Sequence, residues 1–361
     1  MTYCAILTLA LSALAMAACA PNLPRPFLEA KAAGHRAYGA GRYDEAAAKF
    51  RQAAQHAERI RDRDEALYLE AASYQRADRN RKAAAAYESL IALSPRGARA
   101  ARSAYELAQF EINHGSKSRG WKMLHKFIKD YPQSGLARRA LLRFLVHLDE
   151  DRGLEKTITY INESMKWYAL HDLGEVALYQ KALRLERLGR LTEARDTFVF
   201  CARTYPYPDG GLYDDSLFRA SLLDEQLGNP QLAVQHLRDL LSVREPSTLN
   251  GTYERPRYSE AQMRLGTLHR DALGDPDGAR KEFRKLFDSF KTSLLRDDAL
   301  WAEAKIASDQ DDKEGACEAL TLLVKTFPES RYAPCAKLLC PDAPNVDARQ
   351  KCRPYIAREI E

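Results

Sequence analysis

Residues Glu65–Pro95 read EALYLEAASYQRADRNRKAAAAYESLIALSP. Leu67, Ala71 and Tyr74 lie four and three apart, one face of a helix, and Ala83, Tyr87 and Leu90 repeat that spacing after the polar break Asp78-Arg79-Asn80. Pro95 then closes the unit, because its ring cannot continue a helix. The stretch is a helix hairpin with an apolar seam, and its second half recurs along the chain. A small residue, a large apolar one at plus four and a mostly apolar one at plus seven begin at Ala46, Ala83, Gly120, Thr157, Ala194, Ala233, Ala279 and Ala316. The steps between these anchors are 37, 37, 37, 37, 39, 46 and 37 residues. A single globular core has no cause to produce such a period, whereas stacked repeats do. The expected fold is therefore all-α, a right-handed α-α superhelix of about seven to eight helix hairpins over residues 27–336.

The polar break recurs as Gly41-Arg42, Gly153, Gly189-Arg190, Gly228-Asn229 and Gly274-Asp275, where glycine can take the positive φ that ends a helix. The closing proline recurs as Pro132, Pro206 and Pro328. In these residues the chain resembles the tetratricopeptide repeat (TPR) family, most clearly at Ala46, Phe50 and Ala53, at Ala71, Tyr74, Ala83, Tyr87 and Pro95, and at Ala194, Phe198 and Pro206. The fourth unit, with Thr157, Ile161 and Ser164, matches poorly, so a distorted hairpin is expected there. The endings Tyr131-Pro132-Gln133-Ser134 and Phe327-Pro328-Glu329-Ser330 look like the subgroup found in the outer-membrane assembly lipoprotein BamD and the periplasmic TolA-binding coordinator of cell division. That resemblance implies a solenoid that binds proteins in the bacterial envelope. The 46-residue step holds two prolines and Asn250-Gly251 within 242–258, an exposed loop insertion.

Residues 1–18 carry no charged side chain, and their apolar stretch is too short to span a bilayer, which identifies a signal peptide. Met16-Ala17-Ala18-Cys19 resembles the bacterial lipobox, which implies lipidation of Cys19, a short linker over 19–26 and, from Ala20, sorting to the periplasmic face of the outer membrane. A plain secretory signal cut after Ala15-Met16-Ala17, giving a soluble periplasmic or secreted protein, also fits. Cys317, Cys335, Cys340 and Cys352 crowd the end of the chain without paired C-x-x-C spacing or a neighbouring histidine. They read as disulfide candidates stapling a C-terminal cap and tail over 337–361, with Cys317 to Cys340 the favoured pairing and free thiols the alternative.

No stretch carries catalytic spacing. Gly115-Ser116-Lys117-Ser118-Arg119-Gly120 imitates a phosphate loop, but Trp121 stands where that loop needs lysine. Asp309 to Asp312 resembles a calcium loop only until Glu314 takes the place of the required glycine. No enzyme activity, cofactor, metal or small-molecule substrate is expected. A net charge of +5 over 361 residues is too small to argue for nucleic acid. The candidate binding residues sit fifteen places before the anchors, where Tyr68, Tyr105, Tyr179, Phe218 and Trp301 form one ring per repeat. The same position holds Lys31, Leu142 and Arg264 in other units, with Met263 in register if that hairpin has one extra residue. In the resembled family this position faces the concave surface, which would make a groove for a peptide; packing between first helices is the other reading. Seven places further on, Asp149, Glu186, Glu225 and Asp271 form a carboxylate row that would favour a basic segment, or else a solvated helix face. The function these features point to is a non-catalytic envelope scaffold gripping a protein or peptide, in outer-membrane assembly, Tol-Pal or secretion machinery. The alternative is a glycan- or peptidoglycan-binding or polysaccharide-export factor.

Overall fold

The computed structural model describes residues 23–243, 256–347 and 349–358, and no strand occurs among them. The expected signal peptide, Cys19 and most of the 242–258 insertion lie outside the described residues. The chain forms two compact units, one reaching Asp151 and including His171–Leu173, the other comprising Arg152–Leu170 and the residues from Gly174 onward. The first contains α1 (Arg25–Gly39), α2 (Tyr43–His56), α3 (Ile60–Arg76), α4 (Asn80–Leu93), α5 (Ala100–His114), α6 (Lys117–Asp130) and nearly all of α7 (Ala137–Arg152). The second contains α8 (Leu154–Leu170), α9 (Gly174–Arg187), α10 (Leu191–Thr204), α11 (Tyr213–Gln226), α12 (Pro230–Ser242), α13 (Pro256–Asp271), α14 (Pro276–Ser289), α15 (Arg296–Asp309) and α16 (Lys313–Thr326). It ends in a 3-10 turn, Ala333–Cys335, and the short helices α17 (Ala336–Leu339) and α18 (Pro354–Ala357).

The fold is all-α, built of helices packed in consecutive pairs. Every anchor residue is buried, and so is every residue four places on: Phe50, Tyr87, Leu124, Ile161, Phe198, Leu237, Phe283 and Leu320. At plus seven the one departure is Ser164, half-buried where its counterparts are core residues. The fourth repeat comprises α7 and α8. Its helices α7 and α8 are continuous, and Thr157 donates its hydroxyl to the Gly153 carbonyl 3.1 Å away, which satisfies a polar side chain in a core position.

One turn is used again and again. Gly41, Gly189, Gly228 and Gly274 have φ between +60° and +74°, and Gly153 has φ +84°. Asp78, Asp172 and Asp311 adopt the same left-handed region, which short polar side chains tolerate. In the tight form the residue after the turn donates its backbone N–H five residues back, as Asn229 does to Asp224 at 2.8 Å and Arg42 to Ala37 at 2.9 Å. A Cβ added at Gly228 would meet nothing within 4 Å, so Gly228→Ala tests backbone strain alone. It is expected to destabilise the second unit by about 1 to 2 kcal/mol, read from urea unfolding.

The end of the chain folds back onto the last pair. Cys317–Cys340 and Cys335–Cys352 are disulfides with Cα separations of 5.1 and 4.7 Å, and Cys335, Cys340, Ala343 and Ile356 are buried. The tail from Pro341 packs as a cap through Ile356, because the bridges and these apolar contacts replace repeat packing.

Candidate partner-binding face

The first helix of each pair carries the ring position, and each ring leans on the second helix of its own pair or on the segment beyond that helix. In the first unit Tyr68 is half-buried with its ring 6.1 Å from that of Tyr87, and Tyr105 is buried edge-on to Phe127 at 5.5 Å. In the second unit Tyr179 is half-buried edge-on to Phe198 at 5.2 Å, and Phe218 is half-buried under the Arg257 guanidinium at 5.0 Å. Trp301 is 4% exposed and stacked on Tyr332 at 5.0 Å, so the cap removes it from any open groove. Tyr68, Tyr179 and Phe218 stay half-buried and partly accessible. The other occupants of this position are Lys31, whose ammonium lies over Phe27 at 5.5 Å, half-buried Leu142, and Arg264, beside which Met263 joins the core.

The carboxylates do not form free charge. Glu186 accepts from Arg219 of the following pair at 3.2 Å, and Glu225 accepts from Arg264 of the next. Asp271 accepts from its neighbour Arg270 at 2.6 Å, which holds its carboxyl below the usual range. Asp149 is half-buried near the end of α7. A row of uncompensated acids would attract a basic segment; with Glu186, Glu225 and Asp271 each paired to an arginine, that attraction is weaker.

A second recurring device went unread in the sequence. Four and three residues before a ring stand acidic pairs, Asp64-Glu65, Asp214-Asp215 and Asp297-Asp298, with Glu175 alone before Tyr179. Asp64, Asp297 and Glu175 fasten the turn into the next pair. Ser94 donates to Asp64 at 2.8 Å, Ser330 to Asp297 at 2.7 Å, and the Leu212 backbone N–H to Glu175 at 2.6 Å. The second member pairs with an arginine of the next turn or helix start, Glu65 with Arg99, Asp215 with Arg257 at 2.7 Å and Asp298 with Arg331 at 2.5 Å. Arg99 and Arg257 then lie over the rings of Tyr68 and Phe218. The signal was present as acidic dipeptides in fixed register with the rings.

What remains open in the second unit is a polar-aromatic patch of Tyr179, Glu186, Asp215, Phe218, Arg219 and Arg257. Burial first, then the nearby Asp215, pushes the Tyr179 hydroxyl above its ordinary range, so it stays protonated near neutral pH. The hydrogen bond from Arg257 to Asp215 heads the causes that raise the Arg257 guanidinium. Such a patch offers donors, acceptors and ring faces held by ion pairs between helices. Elsewhere in this unit the Cys201 thiol is buried, and burial pushes it up to about 11. Among the described residues no group of three His, Cys, Asp or Glu is placed to hold a metal, and no helix is long and apolar enough to cross a membrane.

No curated protein matches the chain. Among solved structures it is similar to YrrB, a TPR protein with an unusual peptide-binding site, at 18% identity and TM-score 0.36 over 60% of this chain and 97% of that one. It is also similar to PilF of Pseudomonas aeruginosa at 15% identity and TM-score 0.37, covering 64% of this chain and 94% of that one. PilW, a type IV pilus biogenesis factor, gives 17% identity and TM-score 0.31 over 75% and 96% of the two chains. Likenesses of this size place no ligand or partner on the chain. The sequence itself matches the tetratricopeptide repeat family model at residues 65–96, 260–293 and 298–330. Each of these three stretches holds a helix hairpin with a buried anchor, so the chain carries tetratricopeptide repeats there.

Proposed function

We propose that the protein is a non-catalytic scaffold that binds a protein or peptide partner on the first-helix face, tethered through Cys19 in a bacterial envelope. The observation that carries the binding reading is the open patch around Tyr179, Phe218, Arg219 and Arg257, where half-buried rings alternate with polar groups fixed by ion pairs. Rings held in place lose little entropy when a partner covers them, and arginine and tyrosine are the residue types that anchor interfaces. The pairing of Glu186 and Glu225 with arginines lends more support to an extended or helical segment of mixed polarity than to a strongly basic one. The two disulfides of the cap support an oxidising compartment, in keeping with the proposed export. Outer-membrane assembly, Tol-Pal or secretion machinery is the setting this reading favours. Glycan binding, the other expectation, is the weaker reading, since buried Trp301 and the edge-on packing of Tyr105 and Tyr179 leave few broad ring faces for a sugar.

The test uses mature protein against envelope extract, compared with isolated sacculi. Tyr179→Ala and Phe218→Ala are each expected to weaken a captured protein by about 1 to 3 kcal/mol with helicity retained. Retention of the partner by both variants would move the site off this face, and retention of sacculi alone would favour glycan. Anchoring is tested separately: Cys19→Ala should abolish labelling by a fatty-acid probe, and equal labelling would remove the tether.

A further inference from the structure

The net charge of +5 is unevenly spread. Residues 1–151 hold 24 lysines and arginines against 16 aspartates and glutamates, whereas residues 152–361 hold 31 against 34. The excess is concentrated in the second helices of two neighbouring pairs of the first unit, α4 and α6, which together carry seven basic residues and two acids, Glu88 and Asp130. Charge so localised acts on a partner within a screening length of about 8 Å, whatever the sum over the chain.

Lys122, Lys126 and Lys129 of α6 recur four and three residues apart, on the face opposite the buried Gly120, Leu124, Phe127 and Ile128. Lys122 and Lys126 are exposed and Lys129 is half-buried. Both acids are already paired: Glu88 accepts from Arg119 at 2.7 Å, which ties α4 to α6, and Asp130 lies 2.7 Å from Lys126. Arg81 and Lys82, exposed at the start of α4, and Lys117 and Lys122 on α6 have no carboxylate partner among the described residues. Four of the five basic residues on α6 are lysines, compact point charges rather than the planar forks that grip one carboxylate with two bonds. Such a row suits a diffuse field of negative charge better than a shaped acidic peptide.

We infer that the outer face of α6, with the start of α4, is an electrostatic docking surface for a bilayer containing anionic phospholipid. The choice of a bilayer rests on the tether proposed at Cys19, which is six residues before Arg25, where α1 begins. Six extended residues reach about 20 Å at most, so an acylated Cys19 would keep this unit beside the headgroups, where each basic side chain at the surface strengthens binding about fivefold. The row stands on second helices, so docking through it leaves the first-helix face to a protein partner.

The test is flotation of the mature chain carrying Cys19→Ala, which has no thiol to acylate, with vesicles of phosphatidylcholine and phosphatidylglycerol in equal parts or of phosphatidylcholine alone. The protein should bind the mixed vesicles at least about tenfold more tightly, and about 1 M salt, which shortens the screening length to about 3 Å, should release it. Lys117→Gln, Lys122→Gln and Lys126→Gln together should weaken binding about a hundredfold, the product of three fivefold losses, with helicity retained. Lys281→Gln, Lys285→Gln and Lys313→Gln together, the same charge taken from exposed positions of the second unit, should change it less than about threefold. Equal binding to the two kinds of vesicle, or equal losses in the two triple variants, would overturn the assignment. So would capture of poly-L-glutamate without capture of vesicles, which makes the face a site for an acidic protein. Should the α6 variant fail to fold, the lipid and salt comparison of the otherwise unaltered chain decides. Because the assayed chain carries no acyl group, failure of the docking is read apart from failure of the tether, which the fatty-acid probe reports.

Discussion

Phe283→Ala is expected to destabilise the second unit by about 3 to 5 kcal/mol. The ring is wholly buried at plus four from the anchor Ala279, within a core that includes Ala261, Leu265 and Leu286. It lies against the backbone of α13 at Gly266, where an added Cβ would stand 2.4 Å from the ring. A void left there is bordered on one side by main chain, which cannot collapse into it as a flexible side chain would. The cost therefore belongs at the upper part of the usual range for removed phenylalanines. The sign of a companion change comes from the same geometry. Glycine to alanine inside a helix ordinarily gains about 1 kcal/mol, but Gly266→Ala must displace the ring, and overpacking costs about 1 to 3 kcal/mol, so a net loss is expected. Gly34 and Phe50 repeat the arrangement in the first unit, with the ring 2.7 Å from an added Cβ. Urea unfolding followed by circular dichroism measures all of these; a loss below about 1 kcal/mol for Phe283→Ala would show that plus-four rings do not carry the repeat core.

What could be read in the sequence was whatever depends on spacing along one hairpin. The anchors, the plus-four residues and the glycine turns answer to 3.6-residue periodicity and to φ, both local properties, and they appear where the period puts them. Partners across repeats were not legible. Glu186 finds Arg219 and Glu225 finds Arg264 over separations of 33 and 39 residues, and a carboxylate seen without its partner reads as free charge. Trp301 looked like one rung of a row because its register matches the other rings. Tyr332, which covers it, lies beyond the last hairpin where the period no longer applies.

The C-terminal cap gives the second large effect. Removing both bridges, as Cys317→Ala with Cys335→Ala, is expected to cost about 3 to 6 kcal/mol, locally in the last pair and the cap. Each bridge closes a short loop, with sequence separations of 23 and 17, for which loop-closure entropy gives about 3 kcal/mol. The two loops interleave, 317–340 with 335–352, so either bridge already limits the freedom of the other's ends and the sum is an upper figure. Below them the cap has modest packing of its own. The helices α17 and α18 have four residues each, too short to hold without tertiary contacts. With the bridges gone, release of the cap would uncover Trp301, Leu320 and Leu323, which share its apolar cluster. Hydrogen exchange measured by mass spectrometry should therefore show lost protection over 333–358 and reduced protection over 296–326. Pairs nearer the start of the second unit, which contact only their neighbours, should keep theirs. Unchanged protection over 296–326 in the double variant would mean that the last pair is stable without its lid, and the bridges would then be no more than restraints on the tail.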